Sequence, residues 1–137
     1  MKRILVLCTG NSCRSQIAEG YLKHFAGSKA EVFSAGIETH GVNRKAIAVM
    51  KEDGINISEH TSNNISEYMQ VHFDFVITVC DHAKERCPFF LSDAKKFHCN
   101  FPDPAKATGS EEEIMQQFRN VRDRIKDYCR KFVEMNL

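Results

Sequence analysis

Cys8 and Arg14 stand at the two ends of Cys8-Thr9-Gly10-Asn11-Ser12-Cys13-Arg14, and Ser15 follows. The apolar run Ile4-Leu5-Val6-Leu7 precedes this stretch and a helix-like segment succeeds it. A strand-to-helix turn of this kind aims successive backbone N–H groups and a helix N-terminus at one point, where an oxyanion can sit. The arginine adds a planar fork that pairs bidentately with a tetrahedral anion. The same positive potential lowers the pKa of a thiol beneath it, so Cys8 is expected to be a thiolate nucleophile near neutral pH. Gly10 and Asn11 permit an unusual loop backbone. Such a site binds a phosphate-shaped anion and attacks its central atom. Ser15 hydrogen-bonds the Cys8 thiolate, begins the helix, or does both. Cys13 is either a backup thiol or a small semi-buried filler.

Strand and helix signals alternate from one end of the chain to the other. Lys2–Leu7 reads as a buried parallel strand. Ser15–Ala26 reads as a helix, with Ile17, Ala18, Tyr21, Leu22, Phe25 and Ala26 on one face. Glu31–Ser34 is a second strand and Asn43–Glu52 a second helix, stopped by Gly54. Asn56–Asn64 is polar and expected as loop, with a short helix from Ile65 to Gln70. Phe73–Val79 is the third strand, Asp81–Pro88 a polar loop and Lys95–Cys99 the fourth strand. Phe101-Pro102-Asp103-Pro104 is kept irregular by its prolines. Ser110–Met135 is a long closing helix, with Ser110 and Glu113 forming a capping box.

This alternation predicts an α/β fold: one three-layer domain over residues 1–137, a four-stranded parallel sheet with helices on both faces. Ligands in such sheets bind at the carboxyl ends of the strands, where the winding order reverses. Cys8 follows strand one, Cys80 follows strand three and Asp103 lies just after strand four. If strands one and three are neighbours, about 4.8 Å apart, two thiols and a carboxylate meet in one crevice. A second thiol can resolve a Cys8 adduct into a disulfide, and Cys87 can carry that disulfide outward. The plainer reading is one buried strand-end cysteine and one accidental surface cysteine. Asp103 is either a general acid for a departing oxygen or an Asx-type turn residue. Cys99 and Cys129 are assigned to packing. His60 and His82 flank functional loops.

The chain has 137 residues, enough for one conventional core. A formal charge of +1, with scattered basic residues, argues against a nucleic-acid or membrane footprint. The first core strand begins by Lys2 or Arg3, so no signal peptide is expected, and the apolar runs are too short to cross a bilayer. The protein is expected in the cytoplasm. Its six cysteines then point to redox chemistry, metal or burial rather than to a disulfide framework. Zinc is the weaker option: no Cys-x-x-Cys is present, and Cys80, His82, Cys87 and His98 lack a standard ligand spacing.

Cys8–Ser15 together with Asp103-Pro104 resembles the low-molecular-weight protein tyrosine phosphatase fold, and more narrowly the thioredoxin-coupled arsenate reductases built on it. The resemblance covers nearly the whole length. It includes Cys-Arg-Ser-Gln-Ile-Ala-Glu-Gly (13–20), Ser-Ala-Gly-Ile-Glu-Thr-His-Gly-Val-Asn (34–43), the Cys80/Cys87 pair and Val121-Arg122-Asp123. The phosphatases usually have Pro where this chain has Gln16, and Tyr where it has Ala105. They also lack the cysteine pair.

The resemblance implies that Arg14 and the loop Thr9, Gly10, Asn11, Ser12, Cys13, Arg14 and Ser15 bind arsenate. Cys8 attacks arsenic while Asp103 protonates the leaving oxygen. Cys80 then attacks the Cys8 sulfur and expels arsenite, and Cys87 attacks Cys80, leaving a Cys80–Cys87 disulfide for reduced thioredoxin. No bound cofactor is implied, and a monomer is expected. Some relatives hold a monovalent cation, for which the matching positions are Asn11, Glu19, Ser34 and Thr61. Asn63 stands where those relatives have Asp, which removes a charge. The runner-up is a phosphatase acting on phosphotyrosine or small phosphate esters through Cys8, Arg14 and Asp103 alone. A redox sensor without turnover is the third reading, disfavoured because a sensor needs no general acid.

Overall fold

Ile4, Leu5, Val6 and Leu7 are apolar at every position rather than at alternate ones, which suits a strand buried on both faces. In the computed structural model, which describes residues 1–137, they form the middle of β1 (Lys2–Cys8) and all four are wholly buried. The elements that follow are α1 (Arg14–Ala26), β2 (Ala30–Gly36), α2 (Arg44–Glu52), β3 (Phe75–Thr78), α3 (Asp81–Glu85), β4 (Lys95–His98) and α4 (Glu111–Asn136). The four strands pair in parallel, in the order β2-β1-β3-β4. The winding reverses between β1 and β3, so the crevice lies at the carboxyl ends of those two strands. Cys8 ends one of them and Cys80 closely follows the other.

The register sorts the two faces. Ile4, Val32 and Phe75 align across the sheet, as do Val6, Ser34 and Ile77. This face meets α1 and α4: Phe132 sets its ring edge-on to Phe75 and Phe97, with centroids 5.6 and 4.9 Å apart. α2 packs on α1 and α4, tied by Arg122 donating to the Val49 carbonyl and by Tyr21 and Lys126 meeting Asp53. The opposite face carries Leu5, Phe33 and Val76. There Phe33 packs edge-on against Tyr68 and Phe73, each 5.4 Å away, and α3 covers β1 and β3. Helices therefore flank both faces, long ones on one side and short turns on the other.

Two elements differ from the sequence expectation. Residues Ile65–Tyr68 form a 3-10 turn with a capping box from Asn64 and Glu67, not an α-helix. The segment expected as polar loop after Cys80 begins with α3, whose cap is the Cys80 sulfur, accepting from the Ala83 N–H at 3.4 Å. Asp81 at the start of that helix suits its dipole. The capping box expected at Ser110 and Glu113 is present at the head of α4. No helix is long and apolar enough to cross a membrane.

Gly36 ends β2 where three backbones meet. A Cβ there would lie 2.3 Å from the Glu38 carbonyl oxygen, 2.8 Å from the Asn11 nitrogen and 2.8 Å from the Thr9 carbonyl oxygen. Main chain on all sides cannot yield as a side chain can. Gly36→Ala is expected to lower stability by about 1–3 kcal/mol, as overpacking does, and to weaken oxyanion binding. Urea unfolding at constant m-value measures the first effect and phosphate titration the second; an unchanged midpoint would contradict this packing.

Candidate active site

Cys8 closes β1, Arg14 opens α1, and the loop between them lines a cleft of about 420 Å³. The Thr9, Gly10 and Ser12 carbonyls accept from the N–H groups of Glu38, His40 and Asn43, at 2.9, 3.0 and 2.9 Å. The N–H groups of Gly10 to Cys13 donate to no other group of the protein, so they are free to serve an anion. Asn11 makes this shape possible. Its φ of 47° is the one positive value outside glycine, and Asn tolerates that region better than most residues. Its Nδ2 donates to Ser15 Oγ and Ser34 Oγ at 2.8 and 2.9 Å, and its Oδ1 accepts from the Asn63 N–H at 2.8 Å. Ser15 is thus engaged with Asn11 rather than with Cys8.

Gln16 lies wholly buried beneath the loop, donating to the Asn11 and Thr61 carbonyls at 3.0 and 2.9 Å. Its carbonyl can only accept, so His60 Nδ1, 3.0 Å away, carries a proton toward it. Asn11, Glu19, Ser34 and Thr61 do cluster here, but their oxygens are committed. Glu19 accepts from the Ser34 hydroxyl and the Lys23 ammonium, and the Thr61 hydroxyl donates to Asn63. These residues do not fit a monovalent cation, because Lys23 already supplies the positive charge beside Glu19.

The Cys8 and Cys80 sulfurs lie 3.8 Å apart, both buried. The Cys8 thiol is pushed above the ordinary thiol range, first by the hydrogen bond it donates to Cys80 and then by burial, with Arg14 opposing. Cys80 is pulled down to about 5, first by that same bond and against its burial, with help from the Thr9 hydroxyl at 3.2 Å, the Ala83 N–H and Arg14. One proton is shared by the two sulfurs, so the pair titrates as a unit, and Arg14, the Thr9 hydroxyl and the Ala83 N–H all favour its negative charge. Cys8 keeps the Arg14 guanidinium and the Thr9 N–H that favour its thiolate, while the Thr9 hydroxyl and the Ala83 N–H favour a thiolate at Cys80.

Arg14 is oriented by the Phe101 carbonyl at 3.0 Å, and its other terminal nitrogen lies 3.8 Å from Asp103 Oδ2. Asp103 Oδ1 accepts from the Ala105 N–H at 3.0 Å. One oxygen builds the turn while the carboxyl group borders the cleft beside Cys8, so the turn and acid readings are compatible. Cys13 is buried in the cleft wall and pushed up to about 12 by that burial. Cys87 is half-buried just beyond α3, and burial raises it too. Cys129 donates to the Ala18 carbonyl away from the cleft. A second cleft, of about 430 Å³, shares Thr9, Arg14 and Asp103 with the first and reaches Cys80 and His82. Sequence reasoning missed the Thr9 bond to Cys80, the His40 ring against Gly10 and the Lys23 pairing. Only the last left a readable signal, a Glu–Lys pair at helical i,i+4 spacing.

Residues 3–136 match the family described as low molecular weight phosphotyrosine protein phosphatase. The chain belongs to that family. Among its relatives, an arsenate reductase of Halalkalibacterium halodurans is 50% identical over 133 residues, covering 97% of this chain and 96% of the relative. An arsenate reductase of Bacillus subtilis is 47% identical over the same length. A solved arsenate reductase in a phosphate-binding state superposes with a TM-score of 0.86 at 32% identity, over 98% of each chain. An arginine phosphatase superposes at 0.80 with 22% identity and shares the fold.

The shared proton gives a pH prediction. The sulfur pair carries one negative charge above the lowered value and none below it, so thiol reactivity is lost only as pH falls through about 5. Alkylation of the reduced protein against pH, read by mass spectrometry at Cys8 and Cys80 together, checks this. Thr9→Val removes one bond to the thiolate and is expected to move the inflection upward. An inflection at the ordinary thiol value of about 8.5 would rule out the shared-proton arrangement.

Proposed function

We propose that this protein reduces arsenate to arsenite, in the cytoplasm, through a three-cysteine relay regenerated by reduced thioredoxin. The observation that carries the reading is the second sulfur, Cys80, 3.8 Å from Cys8 at the end of an oxyanion loop. A hydrolase of this family needs one thiol; two within bonding reach suit a reaction that ends in a disulfide. The 47–50% identical relatives named arsenate reductase support the same substrate.

The reaction follows from the positions of these groups. Arsenate sits on the loop N–H groups with Arg14 bidentate to two of its oxygens. Cys8 attacks arsenic as its proton passes to Cys80, and an arsenate oxygen leaves as water with a proton from Asp103. Cys80, once deprotonated again, attacks the Cys8 sulfur. The Cys8–arsenic bonding pair then moves to arsenic, which leaves as arsenite, two electrons reduced. The Cys87 thiolate attacks Cys80, Cys8 leaves as a thiolate, and thioredoxin reduces the Cys80–Cys87 bond.

The last internal step needs α3 to open. Cys80 caps one end of α3 and Cys87 lies beyond the other; the helical residues between them alone rise about 7 Å, whereas a disulfide needs Cα atoms within about 6.8 Å. α3 has only five residues, and its flanking main-chain bonds, Lys84 to Cys80 and Arg86 to His82, are 3.2 and 3.1 Å. So short a helix opens easily.

Aryl phosphate hydrolysis is the second reading, because Cys8, Arg14 and Asp103 border one cleft. Arsenate-dependent NADPH consumption with thioredoxin and its reductase, set beside aryl phosphate release, separates the two. Cys8→Ser should abolish both. Arg14→Lys should be nearly as damaging as Arg14→Ala, since charge without the planar fork loses bidentate recognition; normal turnover by the lysine variant would refute that.

Cys80→Ser and Cys87→Ser should leave aryl phosphate hydrolysis largely intact and stop arsenate turnover at different points. Without Cys80, no internal disulfide forms with Cys8. Without Cys87, one arsenate is consumed and a Cys8–Cys80 bond accumulates, as mass spectrometry of alkylated protein would show. Sustained thioredoxin-linked turnover by the Cys87 variant would overturn the relay.

A further inference from the structure

Outside the cleft, a chain of polar contacts holds the residue after Cys80. The Thr78 hydroxyl at the end of β3 lies 2.7 Å from His98 Nδ1 at the end of β4, and His98 Nε2 lies 2.7 Å from Asp81 Oδ1. Asn100 reaches the same residue from the same side, its Oδ1 accepting from the Asp81 main-chain N–H at 3.1 Å. Asp81 is the first residue of α3, the helix that the Cys80 sulfur caps. Two independent tethers from the fourth-strand region therefore converge on the first residue of the helix that must open, next to the attacking sulfur.

The imidazole can hold this position in either charge state. As the neutral Nε2–H tautomer it donates to Asp81 and accepts from the Thr78 hydroxyl. As imidazolium it donates to both, and the hydroxyl turns to the Phe97 carbonyl, 3.4 Å away. His98 is largely covered while Asp81 is mostly exposed. The contact is thus firm at the sheet and loose at the helix, as a fastening that must release would be.

We propose that Thr78, His98 and Asp81 form a latch on α3, with His98 a positioning residue that favours the first sulfur step and restrains the second. Held closed, the latch keeps Cys80 3.8 Å from Cys8 and its sulfur under the Ala83 N–H. Released, it frees Asp81 and lets the chain between Cys80 and Cys87 fold back. The proposal rests on the relay reading above and names what times it.

The test is a single turnover of reduced protein with arsenate, quenched by alkylation and resolved by mass spectrometry into Cys8–Cys80 and Cys80–Cys87 pairs. His98→Phe keeps the ring and leaves the α3 sequence untouched. It is expected to slow Cys8–Cys80 formation about two- to five-fold, the scale of a partly exposed pair. Conversion of that bond to Cys80–Cys87 should quicken by a similar factor. Asp81→Ala should behave likewise, and Asp81→Asn, which keeps an acceptor for Nε2–H, should recover most of the loss. Amide exchange at Lys84 and Arg86 should rise in the first two variants; because it reads α3 directly, it also serves if one variant folds poorly in the turnover assay. A general structural defect slows both steps, so a same-direction change or no change overturns the latch while the wild-type disulfides stand. Wild-type protein that forms neither pair overturns the relay, and unchanged exchange in the variants then overturns the latch as well.

Discussion

An amide N–H can face an anion only if the carbonyl of the same peptide unit finds a partner on the other side. The whole molecule is arranged around that constraint. Backbone groups after β2 take the loop carbonyls, and the segment from Thr61 to Asn63 takes Asn11 and Gln16. Gly36 is bare because the two main chains approach too closely for a side chain. Buried polar side chains in such a network are costly unless every one is satisfied, and no buried side-chain nitrogen or oxygen here lacks a partner. The loop is rigid because its outer side is saturated, and its inner side can then hold donors ready for an anion.

The second dependency is between sulfurs. A lone thiol under the loop would be activated by Arg14 and the N–H groups alone. Here a neighbouring sulfur shares the charge, because Thr9 and the head of α3 both direct donors toward Cys80. The outcome is a pair with one proton and two possible nucleophiles, which suits a sequence in which first one sulfur and then the other must attack. Arg14 stabilises the charge on either sulfur, so transfer between them needs little rearrangement of the surroundings.

Much of this was legible before any coordinates. The apolar run Ile4–Leu7, the loop and the helical spacing after it placed Cys8 and Arg14. The strand-end rule brought Cys80 and Asp103 to the same crevice, because topology alone decides which loops share an end of a parallel sheet. Hidden features depended on register or on unusual partners. Thr9 meets Cys80 only because β1 and β3 are aligned as they are. The helix α3 escaped notice because its cap is a sulfur, and cysteine is not among the residues that mark helix starts. The charge sharing escaped notice because sequence shows no sulfur–sulfur distance.

The sulfur cap on α3 has a consequence for how the molecule reports its own chemistry. A thiolate is a strong acceptor for the Ala83 N–H and the Thr9 hydroxyl, whereas a sulfur in a disulfide is neutral and holds both weakly. Oxidation of Cys80 therefore withdraws the cap from the helix that lies between it and Cys87. Under the proposed relay, bond formation at one end of the segment would become local melting of the segment itself, and electron count would be converted into chain geometry without any ligand, hinge or second domain.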